Sequence, residues 1–285
     1  MNETADVNLT MSPARVLLGW MDTEQGLRAQ HGFRADVEVS PESEERLRLA
    51  RERVAARRAG IDQRDVVTPA PKALAPHIDE LRRHPVTEKV FAEGWSASIL
   101  DLRRLCAFQA RVFTEHGDER VRAIDAHDPL SVAAVSLPVP GPVNIPACYD
   151  STRNAWVLSS PDPNLKVTGH MRQQLNNDVC GFGFSVTLGR SFVAAVQRGG
   201  RYYLTDGYHR AVAFLRRGIT HVPALVRTVR DDEPFKVASG VLPPAAYLGD
   251  RPPQLADFLA DEVSLSVDLP IFRKVIVIQA IEVMG

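Results

Sequence analysis

The clearest hydrophobic and polar pattern in the chain begins at Phe192. Phe192-Val193-Ala194-Ala195-Val196 reads as a strand, Arg198-Gly199-Gly200 as a turn, and Arg201-Tyr202-Tyr203-Leu204-Thr205 as a returning strand, so a β-hairpin is predicted. The chain then breaks at Asp206-Gly207 and continues as a helix through Ala211, Phe214 and Leu215. It stops at Gly218, a residue type favoured just past a helix end, before Val222-Pro223-Ala224-Leu225-Val226 forms another strand.

Upstream the pattern is helical. Ser40-Pro41-Glu42 supplies a capping serine, a first-turn proline and an early acid to a charged run ending near Ala59 and Gly60, with an apolar stripe thin enough for a surface helix. Pro69 to Pro76 reads as a linker, followed by short helices over 77–83 and 86–92. Ile99, Leu102, Leu105, Cys106, Ala110 and Phe113 fall near one face at 3.6-residue spacing, which predicts a core-packed helix over 96–113. Leu137 to Pro146 is too rich in proline for a helix and predicts an extended connection. Val275-Ile276-Val277-Ile278 predicts a last strand, whereas the first 40 residues show no sustained period. The expected organisation is a mainly helical region over 1–135, then a mixed α/β domain over 136–285 with a C-terminal strand extension: an α+β fold.

Composition narrows the function classes. The 285 residues are 45% hydrophobic, enough for an ordinary core, and no apolar run reaches the roughly 20 residues that a membrane helix needs. With Met1 to Asp6 lacking a secretory pattern, a cytoplasmic protein without membrane partners is expected. Cys106, Cys148 and Cys180 form no CxxC pair and are expected to be reduced, buried thiols. The formal charge of −1 argues against a surface coated by nucleic acid, yet residues 190–230 hold eight arginines against one acid, Asp206. An anionic partner would be drawn there.

A strand ending in Asp-Gly that turns into a helix with His209 and Arg210 in its first turn assembles groups that favour phosphate. Unsatisfied N–H groups and the helix dipole attract the anion, and an arginine fork can grip two of its oxygens. Gly207 permits close approach, His209 can donate a hydrogen bond, and Asp206 can cap the helix or hold a metal ion. The plainer readings are that Arg210 and His209 serve a surface ion pair or cap, that Asp206 is only an N-cap, that Tyr208 packs beside the hairpin, and that the arginines are a solvated face. Gly181-Phe182-Gly183-Phe184 lacks a third glycine and a following helix, so a turn or bulge with packed phenylalanines is expected. Asn176-Asn177-Asp178 reads as a loop, His170 as an upstream polar residue, and His221 as a core-edge residue.

The run Tyr203-Leu204-Thr205-Asp206-Gly207-Tyr208-His209-Arg210-Ala211, followed by Gly218-Ile219-Thr220-His221-Val222-Pro223-Ala224-Leu225-Val226, resembles the ParB/sulfiredoxin-like superfamily over about residues 190–230. The resemblance implies that a ParB/sulfiredoxin-like mixed α/β domain binds a nucleoside triphosphate, CTP or ATP with Mg2+, at this turn. It implies phosphate contacts from His209 and Arg210; Gly207 by its close approach, Tyr208 by stacking on a base, and Arg201 from the neighbouring strand complete the candidate ligand-binding set. Asp206 and His209 are the candidate catalytic residues, with Asp206 also the candidate metal ligand. Tyr208 stands where sulfiredoxins carry their catalytic cysteine, which excludes thiol-based sulfinic acid reduction. Partition proteins carry Glu-Arg-Arg after the glycine where this chain has Tyr-His-Arg, and no helix-turn-helix follows. Free-serine kinases carry a similar Asp-Gly-x-His-Arg turn. The expectation is therefore a nucleotide- or phosphate-binding protein, with phosphotransfer or nucleotide hydrolysis as its candidate reactions. The alternative is a non-enzymatic DNA-binding or regulatory module. The apolar strand from Val275 to Val283 needs covering, for which a homodimer is one solution.

Overall fold

A computed structural model describes residues 10–33, 39–142, 144–160, 165–189, 191–231, 233, 240–271 and 274–281. Met1 to Asp6, Val143, Arg190 and Val283, which entered the expectations above, lie outside the described residues. The chain opens with β1 (Met11–Val16), α1 (Thr23–Gln30), α2 (Pro41–Ala55), β2 (Val67–Pro69), α3 (Ala75–Arg83) and α4 (Pro85–Ala92). Then come β3 (Ser96–Asp101), β4 (Arg111–Phe113), α5 (Thr114–Val121), α6 (Pro129–Ser136), β5 (Ala147–Asp150), β6 (Ala155–Ser160), β7 (Leu165–Gln174) and β8 (Cys180–Leu188). The remainder is β9 (Ala194–Arg198), β10 (Arg201–Asp206), α7 (Tyr208–Arg216), β11 (His221–Thr228), α8 (Pro244–Leu248), β12 (Leu265–Pro270) and β13 (Lys274–Gln279). The fold class is mixed α/β.

Two compact units divide the chain, one from 1–140 with 191–270 and the other from 141–190 with 271–285. The division does not follow a boundary near residue 135, because strands from both sides of that point share sheets. In the first unit β3 pairs antiparallel with β11, with Val222 opposite Leu100, and β1 pairs antiparallel with β12. Its five-stranded sheet runs β10-β9-β11-β3-β2 and its three-stranded sheet β12-β1-β4. Among the described residues the N-terminal region thus supplies four strands as well as helices.

The predicted hairpin is present as β9 and β10, antiparallel, and β11 lies parallel to β9 on its other side. The connection from β10 to β11 runs through α7, whose Ala211, Val212, Ala213 and Phe214 enter the main core beside Val193, Leu204 and Val222. Helix α2 begins as its sequence predicts, with the Ser40 hydroxyl accepting from the Ser43 N–H and Pro41 in the first turn; it buries only Ser43, Leu47 and Ala50. The helix predicted over 96–113 is absent. Of its apolar residues Leu102, Leu105, Cys106 and Ala110 are buried and Ile99 and Phe113 half-buried, but β3 is an interior strand hydrogen-bonded to β2 and β11, and a short 3-10 turn at Leu102–Arg104 follows. Leu100, Leu102, Leu105, Cys106, Ala107, Ala110 and Val112 are all buried, and so dense an apolar run satisfies a helical period without forming one.

The second unit contains a three-stranded sheet, β13-β6-β5, and the two-stranded ribbon β7-β8. The predicted C-terminal strand is β13, antiparallel to β6. Gly181 to Phe184 forms neither turn nor bulge with packed rings. It lies inside β8, where Phe182 is 68% and Phe184 47% exposed. Of the three thiols, all free, only Cys106 is buried; Cys148 is exposed and Cys180 half-buried, which corrects the expectation for those two.

Candidate functional site

Asp206, Gly207, Tyr208, His209 and Arg210 meet where β10 gives way to α7. A register shift between Leu204 and Asp206 ends the pairing with β9. Gly207 then turns the chain with φ 85° and ψ 18°, a left-handed conformation, and caps α7 with no side-chain hydrogen bond. A Cβ at 207 would stand 2.9 Å from Val193 Cα and 3.0 Å from the Phe192 carbonyl oxygen, both backbone atoms. Both the angle and the close approach require glycine.

Asp206 stands exposed at the rim of this turn. Its Oδ1 accepts from the Ser191 hydroxyl at 2.8 Å and from the Gly207 N–H at 2.6 Å. Although the residue has an exposed surface, protein atoms crowd its carboxyl end. Loss of solvent there raises its pKa, against the opposing pull of Ser191, Arg210 and the Gly207 and Phe192 N–H groups. Arg210 is 3% exposed. It donates to the Ser191 hydroxyl at 2.7 Å and to the Val135 carbonyl, in the last turn of α6, at 2.9 Å. Ser191 therefore links carboxylate to guanidinium, and Arg210 also serves the carbonyl end of α6, where a cation opposes the negative pole of the dipole. Nothing in the sequence marks Ser191; its part arises only from folding.

Tyr208 points inward. Its hydroxyl accepts from the Phe108 N–H at 2.9 Å, and its ring meets Phe108 and Phe258 edge-on. Burial raises its pKa, so it stays a phenol. The packing reading of this residue matches the geometry, and its ring is committed to the core. Tyr208→Phe is expected to cost about 1–2 kcal/mol in a urea titration, because it strands the buried Phe108 N–H; an unchanged midpoint would remove that hydrogen bond from the account.

His209 faces α5 and the end of β4. Its Nδ1 accepts from the Phe113 N–H at 3.0 Å. Burial, followed by the nearby His116 and Arg120, lowers its pKa to about 4. At neutral pH it is an uncharged imidazole whose Nδ1 is engaged as an acceptor. Arg201 is not brought to the turn. It sits at the hairpin end of β10, about 16 Å away along an extended strand, and donates to the Gly249 carbonyl at 2.7 Å. There it lines a separate surface pocket of about 330 Å³ with Arg198, Tyr203 and Asp231.

Four other arginines of this stretch bind the protein's own groups. Arg198 donates to the Asp231 carbonyl and Arg217 to the carbonyls of Val121 and Ile124, while Arg216 and Arg227 pair with Asp118 and Glu233. His221 lies on the sheet surface, half-exposed, 3.9 Å from Asp101. His170 and Asn176 to Asp178 belong to the second unit, on β7 and in the connection to β8. Among the described residues, no cluster of three or more His, Cys, Asp or Glu side chains surrounds a possible metal position. Asp206 can thus offer a metal a single carboxylate, which fits magnesium only when phosphate oxygens and water complete the shell. Compared with known protein families, curated proteins and solved structures, the chain matches none.

Proposed function

We propose that the chain is a nucleotide- or phosphate-binding protein whose ligand, a nucleoside triphosphate such as CTP or ATP with Mg2+, lies at the start of α7. The observation that carries this reading is the continuous hydrogen-bonded chain from exposed Asp206 through Ser191 to buried Arg210, set beside a helix start that no side chain caps. First-turn N–H groups and the dipole supply the attraction for phosphate, and the guanidinium behind them adds positive potential. Asp206 at the rim is the group in position to share a magnesium ion with the phosphates or to orient an attacking hydroxyl or water. Phosphotransfer or hydrolysis is accordingly the proposed reaction class, with Asp206 as its catalytic residue. His209, neutral and bonded to the Phe113 N–H, anchors α7 to its neighbours in this scheme.

Thermal unfolding of the full chain with CTP, ATP, GTP, ADP or inorganic phosphate, each with and without magnesium, tests the proposal. A ligand at about 100 times its dissociation constant stabilises the fold by roughly 2.7 kcal/mol. Asp206→Asn is expected to abolish the magnesium-dependent part of the shift, and Arg210→Gln, which removes the positive charge behind the helix start, to weaken the phosphate part. If no nucleotide or phosphate shifts the wild type, the proposal fails. Weight then passes to the DNA-binding alternative, whose mark is affinity for duplex DNA that falls steeply with salt.

A further inference from the structure

The β7-β8 ribbon presents two aromatic rings to solvent in a setting unlike the rest of the protein. Among the described residues, the large aromatic side chains that stand exposed are Tyr149, Trp156, Phe182 and Phe184, all within 141–190. Phe182 and Phe184 alternate with Gly181 and Gly183 along β8, so both rings project from one face, about 6.8 Å apart along the strand. On the opposite face the glycines leave room for other side chains to cross: a Cβ at 183 would stand 3.0 Å from Met171 Cγ, and one at 181 would stand 3.5 Å from Leu175 Cδ1. The glycine spacing thus lets Met171 and Leu175, themselves 60% and 59% exposed, lie across one face and leaves the phenylalanines as the rings of the other.

The partners of the rings across the ribbon are polar. His170 lies opposite Phe184, Arg172 opposite Phe182 and Gln174 opposite Cys180. The Arg172 guanidinium stands 5.9 Å from the Phe182 ring centre, and its Nε donates to Cys180 Sγ at 3.1 Å, which holds it beside the ring. Lys166 and Arg172 face a single acid, Asp178, within 165–189. An apolar protein surface laid on this face would bury the Arg172 charge without an opposite charge to pair it, at a desolvation cost of several kcal/mol. Unpaired bases fit better, because any base can stack on an exposed ring and the phosphates beside it meet the guanidinium.

The geometry points to single-stranded nucleic acid as the ligand of this ribbon, with Phe182 and Phe184 as the stacking platform and Arg172 as a backbone contact. The ribbon belongs to the second unit and the β10-α7 turn to the first, and stacking on the ribbon does not depend on nucleotide binding at that turn. Two or three unpaired nucleotides would cover the two rings, and the rings recognise bases by their flat faces, so little sequence preference is expected.

Fluorescence anisotropy of short labelled oligo(dT) and oligo(U) with the full chain, over a range of salt, tests this. The wild type is expected to bind single strands, Phe182→Ala and Phe184→Ala each to weaken binding at least about fivefold, and Phe182→Trp to retain it. Arg172→Ala is expected to make the dependence of affinity on salt shallower by about one charge. Both phenylalanines are exposed, so their variants should keep the wild-type melting temperature, and Asp206→Asn should bind the oligonucleotides as the wild type does. Absence of binding to either strand, undiminished binding in the double alanine variant, or equal affinity for a duplex of the same length overturns the assignment. So does a loss of self-association in the phenylalanine variants without loss of oligonucleotide binding, which would mark the face as an interface between copies of the chain.

Discussion

Gly117→Ala is expected to destabilise the first unit by about 3 kcal/mol, although alanine is the better helix former by roughly 1 kcal/mol. Gly117 sits in α5 where that helix crosses the start of α7. A Cβ there would overlap the carbonyl oxygen of His209 and stand 2.8 Å from its carbonyl carbon and 2.9 Å from Ala213 Cβ. The oxygen belongs to the first turn of α7, so relieving the overlap means moving that turn, and with it Tyr208 and Arg210. The steric penalty therefore exceeds the gain in propensity. Gly60→Ala is the comparison: φ is 83° but nothing lies within 4 Å of a Cβ, so only the backbone penalty of about 1 kcal/mol applies. Urea unfolding of both variants separates the two causes. Equal losses would mean that α5 and α7 do not approach as closely as described. A nucleotide-induced thermal shift reduced in Gly117→Ala and intact in Gly60→Ala would tie the helix crossing to the ligand turn.

The parts of this architecture that were legible in the sequence are those fixed by neighbours along the chain. Gly207 and Gly218 bracket α7 because both adopt left-handed angles, φ 85° and 75°, which few other residues take up. Ser40 and Pro41 mark the start of α2 for equally local reasons. What the sequence hid depends on long-range pairing. Residues 96–101 have a helix-compatible apolar spacing and become a strand because β2 and β11 supply hydrogen bonds on both sides. Arg210 has the motif position of a phosphate ligand, but its bonds run to Val135 and Ser191, 75 and 19 residues away in sequence. The phenylalanines of β8 misled in the other direction, since an apolar residue is presumed buried until the fold shows what lies over it.

His209 should make the protein acid-labile well above the range where most carboxylates titrate. Its pKa is about 4 in the folded protein against an ordinary 6.5, because burial, His116 and Arg120 disfavour the imidazolium. The Phe113 N–H is also directed at the Nδ1 lone pair, which an imidazolium lacks. Above pH 6.5 the imidazole is neutral in both folded and unfolded chains, and the fold carries no penalty. As the pH falls from 6.5 toward 4 the unfolded chain takes up a proton that the folded one refuses, so stability declines, by about 3 kcal/mol across the window. Below pH 4 the folded form is protonated too and this loss levels off. Asp206 has the opposite sign: its raised pKa favours the fold at low pH, and that contribution fades as the pH rises through its folded value. His209→Gln keeps an acceptor for the Phe113 N–H and removes the titration. Urea unfolding of wild type and His209→Gln at steps from pH 7.5 to 4.5 should therefore give curves that diverge below pH 6.5, the wild type falling faster. Parallel curves would show that His209 can be protonated without disturbing the contact between α5 and α7. Because His209 lies in the same first turn as Arg210, divergent curves would also predict that nucleotide affinity falls with the wild type's stability below pH 6.5 and does so less in His209→Gln.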